Sequence, residues 1–119
     1  LSTVWFVIVV AGLGGLGSVL RFALSRFTGL LPWGILIANT FASLIAGLFL
    51  GGAQPAVPYA FLAVGFAGGL STFSSWAAQT GAYWRSKEYR KATYNAALNL
   101  ILPMTAVIAG GFASITLLK

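Results

Sequence analysis

The stretch Gly65-Phe66-Ala67-Gly68-Gly69-Leu70-Ser71-Thr72-Phe73-Ser74-Ser75-Trp76 sets glycines and hydroxyls in the middle of an apolar run. A helix crossing hydrocarbon would have to break there. Irregular backbone persists at membrane depth only where protein, water or an ion satisfies its polar groups. Around this break the apolar segments carry a short set of polar side chains: Arg21, then Asn39, Thr40 and Ser43, then Ser71, Thr72, Ser74, Ser75, Gln79 and Thr80, then Tyr94, Asn95, Asn99 and Thr105. Nearly all are neutral groups able to donate hydrogen bonds, and the one charge among them is a cation. Such a set suits an anion. Phe73 and Trp76 are three residues apart, hence on one helix face just after the break, and a ring presented edge-on offers an anion its positive rim. Asn95 and Asn99, four apart, also share a face.

Each of these residues also has a purely structural reading. A hydroxyl in a helix can bond back to the carbonyl four residues earlier. An asparagine can join two helices, Arg21 can snorkel to the interface, and two aromatics at helical spacing can simply face lipid or pack. Spacing alone does not choose between these uses.

Composition narrows the chemistry further. The chain has 119 residues, 59% hydrophobic and 7% charged, which reads as a membrane protein. It has no cysteine and no histidine, and its single carboxylate side chain, Glu88, stands among Arg85, Lys87, Arg90 and Lys91. Paired-carboxylate catalysis, Ser-His-Asp or Cys-His nucleophiles and His/Cys metal sites therefore lack their side chains, and the reading is that the chain is not an enzyme. The net charge of +6 does not point to nucleic acid, because the basic residues lie at the ends of apolar segments rather than on one basic-aromatic face. No basic n-region precedes the first apolar segment and no cleavage-site pattern follows it, so it reads as a crossing rather than a signal peptide.

Four segments reach the roughly 20 residues needed to cross the hydrocarbon layer. They lie at about Val4–Leu24, Trp33–Gly52, Tyr59–Trp84 and Ala92–Leu118, joined by short connections at Ser25–Pro32, Gly51–Pro58 and Arg85–Lys91. The expected fold is an all-α, four-helix transmembrane domain over residues 1–119, its third helix broken near the middle. Small residues at four-residue spacing, Ser43, Gly47 and Gly51, then Gly65 and Gly69, predict close helix packing. Pro103 removes a backbone donor from the fourth segment and predicts a kink near Asn99.

With four crossings, Arg21, Arg26, Arg85, Lys87, Arg90 and Lys91 fall on one side and Lys119 on the other. The positive-inside rule then places the basic connections in the cytoplasm and both termini outside.

Taken together, Gly14-Gly15-Leu16-Gly17-Ser18-Val19-Leu20-Arg21-Phe22, Pro32-Trp33-Gly34-Ile35-Leu36-Ile37-Ala38-Asn39 and Gly65-Phe66-Ala67-Gly68-Gly69-Leu70-Ser71-Thr72-Phe73-Ser74 resemble the Fluc/CrcB fluoride channels in order and spacing. The glycine-hydroxyl-aromatic break is the specific part. The resemblance implies a dimer of two oppositely oriented subunits in the cell membrane, two narrow fluoride pores, passive export of cytoplasmic fluoride, and a central sodium ion held by backbone carbonyls. Carried over by position, Gly68 and Ser71 offer those carbonyls, Asn39 is the pore-facing amide, Arg21 is the vestibule cation and Phe73 is the first of two aromatic pore residues. Ser43, Ser74, Trp76, Asn95 and Asn99 complete the expected pore set.

The chain departs from the family pattern in three places. Trp76 stands where the second aromatic is usually Phe, Gln79 where an acidic residue is common, and Asn95 and Asn99 where Tyr and Ser are usual. The one-sided charge also departs from the balance that insertion in both orientations requires. The expected partner is therefore a homologous chain of opposite bias, in a heterodimer. Two other readings stay open. A small multidrug-type exporter would want an intramembrane Glu, whereas Glu88 lies in a basic connection; a non-conducting partner subunit would fit the substituted pore positions.

Overall fold

The computed structural model describes residues 3–50 and 61–117. Within them the chain forms α1 (Thr3–Leu24), α2 (Trp33–Leu50), a π-helical stretch (Phe61–Ala67) continued by one α-turn (Gly68–Leu70), α3 (Ser74–Arg85) and α4 (Tyr89–Leu117). The expected connection Gly51–Pro58 lies outside the described residues. No strand occurs among the described residues. α1 and α4 are long and apolar enough to cross a membrane, and α2 is a shorter apolar helix.

The third segment breaks where its glycines and hydroxyls predict. Ser71 is extended, with φ −79° and ψ 155°, and helix resumes at Ser74. The wide π-helical geometry ahead of the break has no counterpart in the sequence reading; such departures gather at functional positions. α4 begins three residues before the expected Ala92, because the Glu88 carbonyl already accepts from the Ala92 N–H at 3.0 Å. Arg90 and Lys91 thus stand in the first turn of α4, and the connection shrinks to Ser86–Glu88. Pro103 lies inside α4 and does not end it.

That connection is a Schellman turn. The Glu88 N–H bonds the Tyr83 carbonyl at 2.9 Å, the Lys87 N–H bonds the Trp84 carbonyl at 3.0 Å, and Lys87 takes the left-handed position with φ 61°.

Packing depends on missing side chains. A Cβ on Gly47 would strike the Val107 carbonyl, and one on Gly110 would meet the Leu44 carbonyl and the Leu48 amide, so α2 and α4 touch backbone to backbone. Gly17 stands against the Phe66 carbonyl and Gly69 against the Gly14 carbonyl, which brings α1 equally close to the third segment. Between them the core is small: Ala38, Ala42, Ala67 and Leu70, with Leu24, Ile45 and Phe66 packed against it. The four-residue stripes through Gly47 and through Gly65 and Gly69 are therefore used for helix contact.

α4 is inside-out by the standards of a water-soluble helix. Ala92, Asn95, Asn99, Gly110 and Ser114 are buried, while Ile101, Met104, Ile108, Phe112 and Ile115 are exposed. Polar and small groups face the chain's own interior and large apolar groups face out, the arrangement hydrocarbon surroundings favour.

Candidate functional site

The site begins with one side chain gripping one backbone residue. Asn39, buried in the middle of α2, accepts the Thr72 N–H on Oδ1 at 2.7 Å and donates from Nδ2 to the Thr72 carbonyl at 3.1 Å. In an uninterrupted helix that N–H would belong to the Gly68 carbonyl. With Thr72 held by Asn39, the Gly68 carbonyl receives the Ser71 hydroxyl, at 3.5 Å. The Thr72 hydroxyl then accepts the Ser75 N–H at 3.2 Å, capping α3, and lies 3.3 Å from the Ser74 hydroxyl.

From Asn39 a ladder of amides runs along α4. The Asn39 Nδ2 also donates to Asn99 Oδ1 at 3.1 Å. The Asn99 Nδ2 donates to the Asn95 carbonyl at 3.0 Å and to Asn95 Oδ1 at 3.2 Å, and the Asn95 Nδ2 donates to Thr80 Oγ1 at 2.9 Å. All three asparagines are buried. The sense of the ladder is forced by its backbone anchors: Thr72 N–H can only donate and the Asn95 carbonyl can only accept, so every amide must be oriented the same way.

Trp76 joins the ladder from the side, its indole Nε1 donating to the Asn95 carbonyl at 3.2 Å. The Phe73 ring meets the Trp76 ring edge-to-face at 5.3 Å and 80°, and Phe73 itself is 73% exposed. Beside them, on the outer face of the chain, Phe73, Trp76, Ala77, Thr80, Gly81, Trp84 and Arg85 line an open groove of about 460 Å³. A smaller groove of about 160 Å³ lies on the other side of the break, lined by Ser43, Gly68 and Ser71 among alanines.

The structure therefore brings Asn39, Asn95, Asn99 and Trp76 into one network, with Phe73 attached through its ring contact and Ser74 through the Thr72 hydroxyl. Ser43, Gly68 and Ser71 form the second cluster. Arg21 stands apart, half-buried in the last turn of α1, with no polar contact to the others among the described residues. Sequence reasoning placed Asn39 facing an ion; in this chain both of its amide hydrogens are taken by protein. It also left Thr80 outside the site, although Phe73, Trp76, Thr80 and Trp84 follow one another at helical spacing, which was the signal available.

The sequence pattern described as CrcB-like protein, Camphor Resistance (CrcB), matches residues 8–111, which takes in the break, Asn39 and the ladder. The chain belongs to the CrcB-like family. Among its CrcB-like relatives, the protein named Fluoride-specific ion channel FluC in Thermococcus gammatolerans is 40% identical, with 87% of this chain and 90% of the relative covered. The protein of the same name in Thermococcus kodakarensis is 41% identical over 82% of this chain and 85% of its own length, and that in Opitutus terrae is 35% identical over 87% and 88%. Membership in the CrcB-like family, with the long apolar helices α1 and α4, makes this a membrane protein.

Proposed function

We propose that this chain is a subunit of a fluoride-selective channel of the plasma membrane, releasing cytoplasmic fluoride by passive electrodiffusion. The observation that carries the reading is the outer groove of α3, where Phe73 and Trp76 present aromatic rings beside a buried, fully oriented amide ladder. Fluoride is small and tightly hydrated, so a pore must offer several donors in place of water without holding the ion too firmly. In this reading Phe73, Trp76 and Ser74 face the ion, Arg85 raises the local anion concentration at the groove's end, and Asn39, Asn95 and Asn99 act from behind, fixing the break and the α3–α4 pair. Arg21 serves the vestibule.

The groove is open to one side, and a second subunit in inverted orientation would close it. Gly68 and Ser71 are exposed residues whose carbonyls suit a sodium ion at that interface, since a hard cation takes oxygen ligands and the Gly68 carbonyl has lost its helical donor to Asn39. Two carbonyls from this chain leave room for two from its partner. The one-sided distribution of basic residues favours a partner of opposite bias over a second copy, with both termini outside. The exporter reading loses support: Glu88 is exposed and paired with Lys91 at 3.1 Å, at the end of α3 rather than inside a crossing.

Fluoride efflux from liposomes, followed by electrode with chloride as control, tests the reading. Fast selective efflux from the purified chain alone would establish a conducting homodimer and refute the heterodimer. Absence of efflux with every chain of opposite charge bias from the same cell would refute the channel.

A further inference from the structure

The geometry points to Thr80 as an anion-binding residue of the α3 groove, its hydroxyl proton being the free end of the amide ladder; this deepens the channel reading and rests on it. Thr72 N–H fixes Asn39 Oδ1 as an acceptor, so Asn39 Nδ2 faces Asn99 Oδ1, Asn99 Nδ2 faces Asn95, and Asn95 Nδ2 faces Thr80 Oγ1. Asn95 presents a donor, and the Thr80 oxygen must accept. Its proton therefore has to point elsewhere.

In α4 the threonines spend that proton on their own helix: Thr93, Thr105 and Thr116 donate to the carbonyls of Tyr89, Ile101 and Phe112 at 2.8, 2.8 and 3.1 Å. Thr80 makes no such bond to Trp76 among the described residues, and it is one of the residues lining the 460 Å³ groove, together with Phe73, Trp76 and Arg85. A hydroxyl that already accepts from an amide is polarised into a better donor, and a run of aligned amides adds to the effect. The groove thus combines one activated O–H, two aromatic rings and a guanidinium. These suit a small, strongly hydrogen-bonding monovalent anion, and an O–H donated to an anion is a charge-assisted bond.

Thr80 also satisfies Asn95, so the test must separate accepting from donating. Thr80→Val is compared in the natural chain and in an Asn95→Ala background, where nothing remains for the oxygen to accept. Efflux is measured with whichever subunit composition conducts, and fluoride binding is read independently as broadening of the free-fluoride ¹⁹F line by purified protein. Thr80→Val should weaken both readouts about tenfold or more in both backgrounds, the loss of one bond to a charged group, and Thr80→Ser should recover most of it. Where Thr80→Val does not yield monodisperse protein, Thr80→Ala takes its place. An effect that vanishes in the Asn95→Ala background would show that Thr80 merely satisfies the ladder and would overturn the inference. Fluoride that is neither passed nor broadened by the natural chain in any subunit composition, alone or with every chain of opposite charge bias from the same cell, would instead overturn the channel reading itself; fluoride handled normally by Thr80→Val removes Thr80 alone.

Discussion

Asn39 replaces the helix at Thr72: its side-chain amide takes the N–H at 2.7 Å and the carbonyl at 3.1 Å, the two groups a continuous helix would have used. The break in the third segment is thus made by α2 as much as by local glycines. Gly68 confirms the division of labour, since a Cβ there would meet nothing within 4 Å and no packing demands its absence.

Replacing Asn39 by Leu strands the Thr72 N–H, the Thr72 carbonyl and Asn99 Oδ1, each at a cost of about 1–3 kcal/mol when buried. We expect a clear fall in the thermal midpoint of the purified protein and faster hydrogen exchange at the Thr72 amide. Unchanged exchange at Thr72 would show that the break stands without the clamp.

Gly47→Ala and Gly110→Ala should both prise α2 from α4, because each new Cβ meets backbone, which cannot rotate away. Gly111→Ala is the matched control, with nothing within 4 Å of its Cβ. The yield of monodisperse protein should collapse for the first two and hold for the third.

Lys87→Gly should stabilise the chain by about 1 kcal/mol, since the Schellman turn puts a side-chain-bearing residue at φ 61°. The gain is read as a higher unfolding midpoint. Lys87→Ala, which keeps a Cβ in the same conformation, should give none of it.

Trp76→Phe removes one donor from the Asn95 carbonyl, which keeps the Asn99 amide, so the cost to stability should stay near 1 kcal/mol. Freed from α4, the smaller ring leaves the groove wider, and fluoride efflux should rise. A fall in efflux would mean that the anchored indole is part of the conducting geometry.

The break was legible because glycines and hydroxyls inside an apolar run have few other uses, and the crossings were legible because hydrocarbon sets their length. Asn95 and Asn99 stood out as a pair for the same reason: four residues apart, they had to share a face. What Asn39 touches was not legible, because its partner is backbone and backbone leaves no mark in the sequence. Trp76 was half legible for the same reason, its departure from Phe being visible and its bond to the Asn95 carbonyl not. Nor did the residues announce the π-helical stretch, along which Gly65 packs against Val10 and Leu13 of α1. Thr80 was visible as a polar residue, but its role depends on which way Asn95 points, and that is settled fifty-six residues away from Asn95, at Asn39.

The ladder also bears on how this protein can vary over time. Each amide in it is answered by the next, so an exchange at 39, 95 or 99 leaves a buried neighbour unanswered until a second exchange repairs it. Single steps through that intermediate are penalised and paired steps are not. Positions 39, 80, 95 and 99 should therefore be inherited as a block, and chains that differ from this one at 99 should differ at 95 or 39 as well.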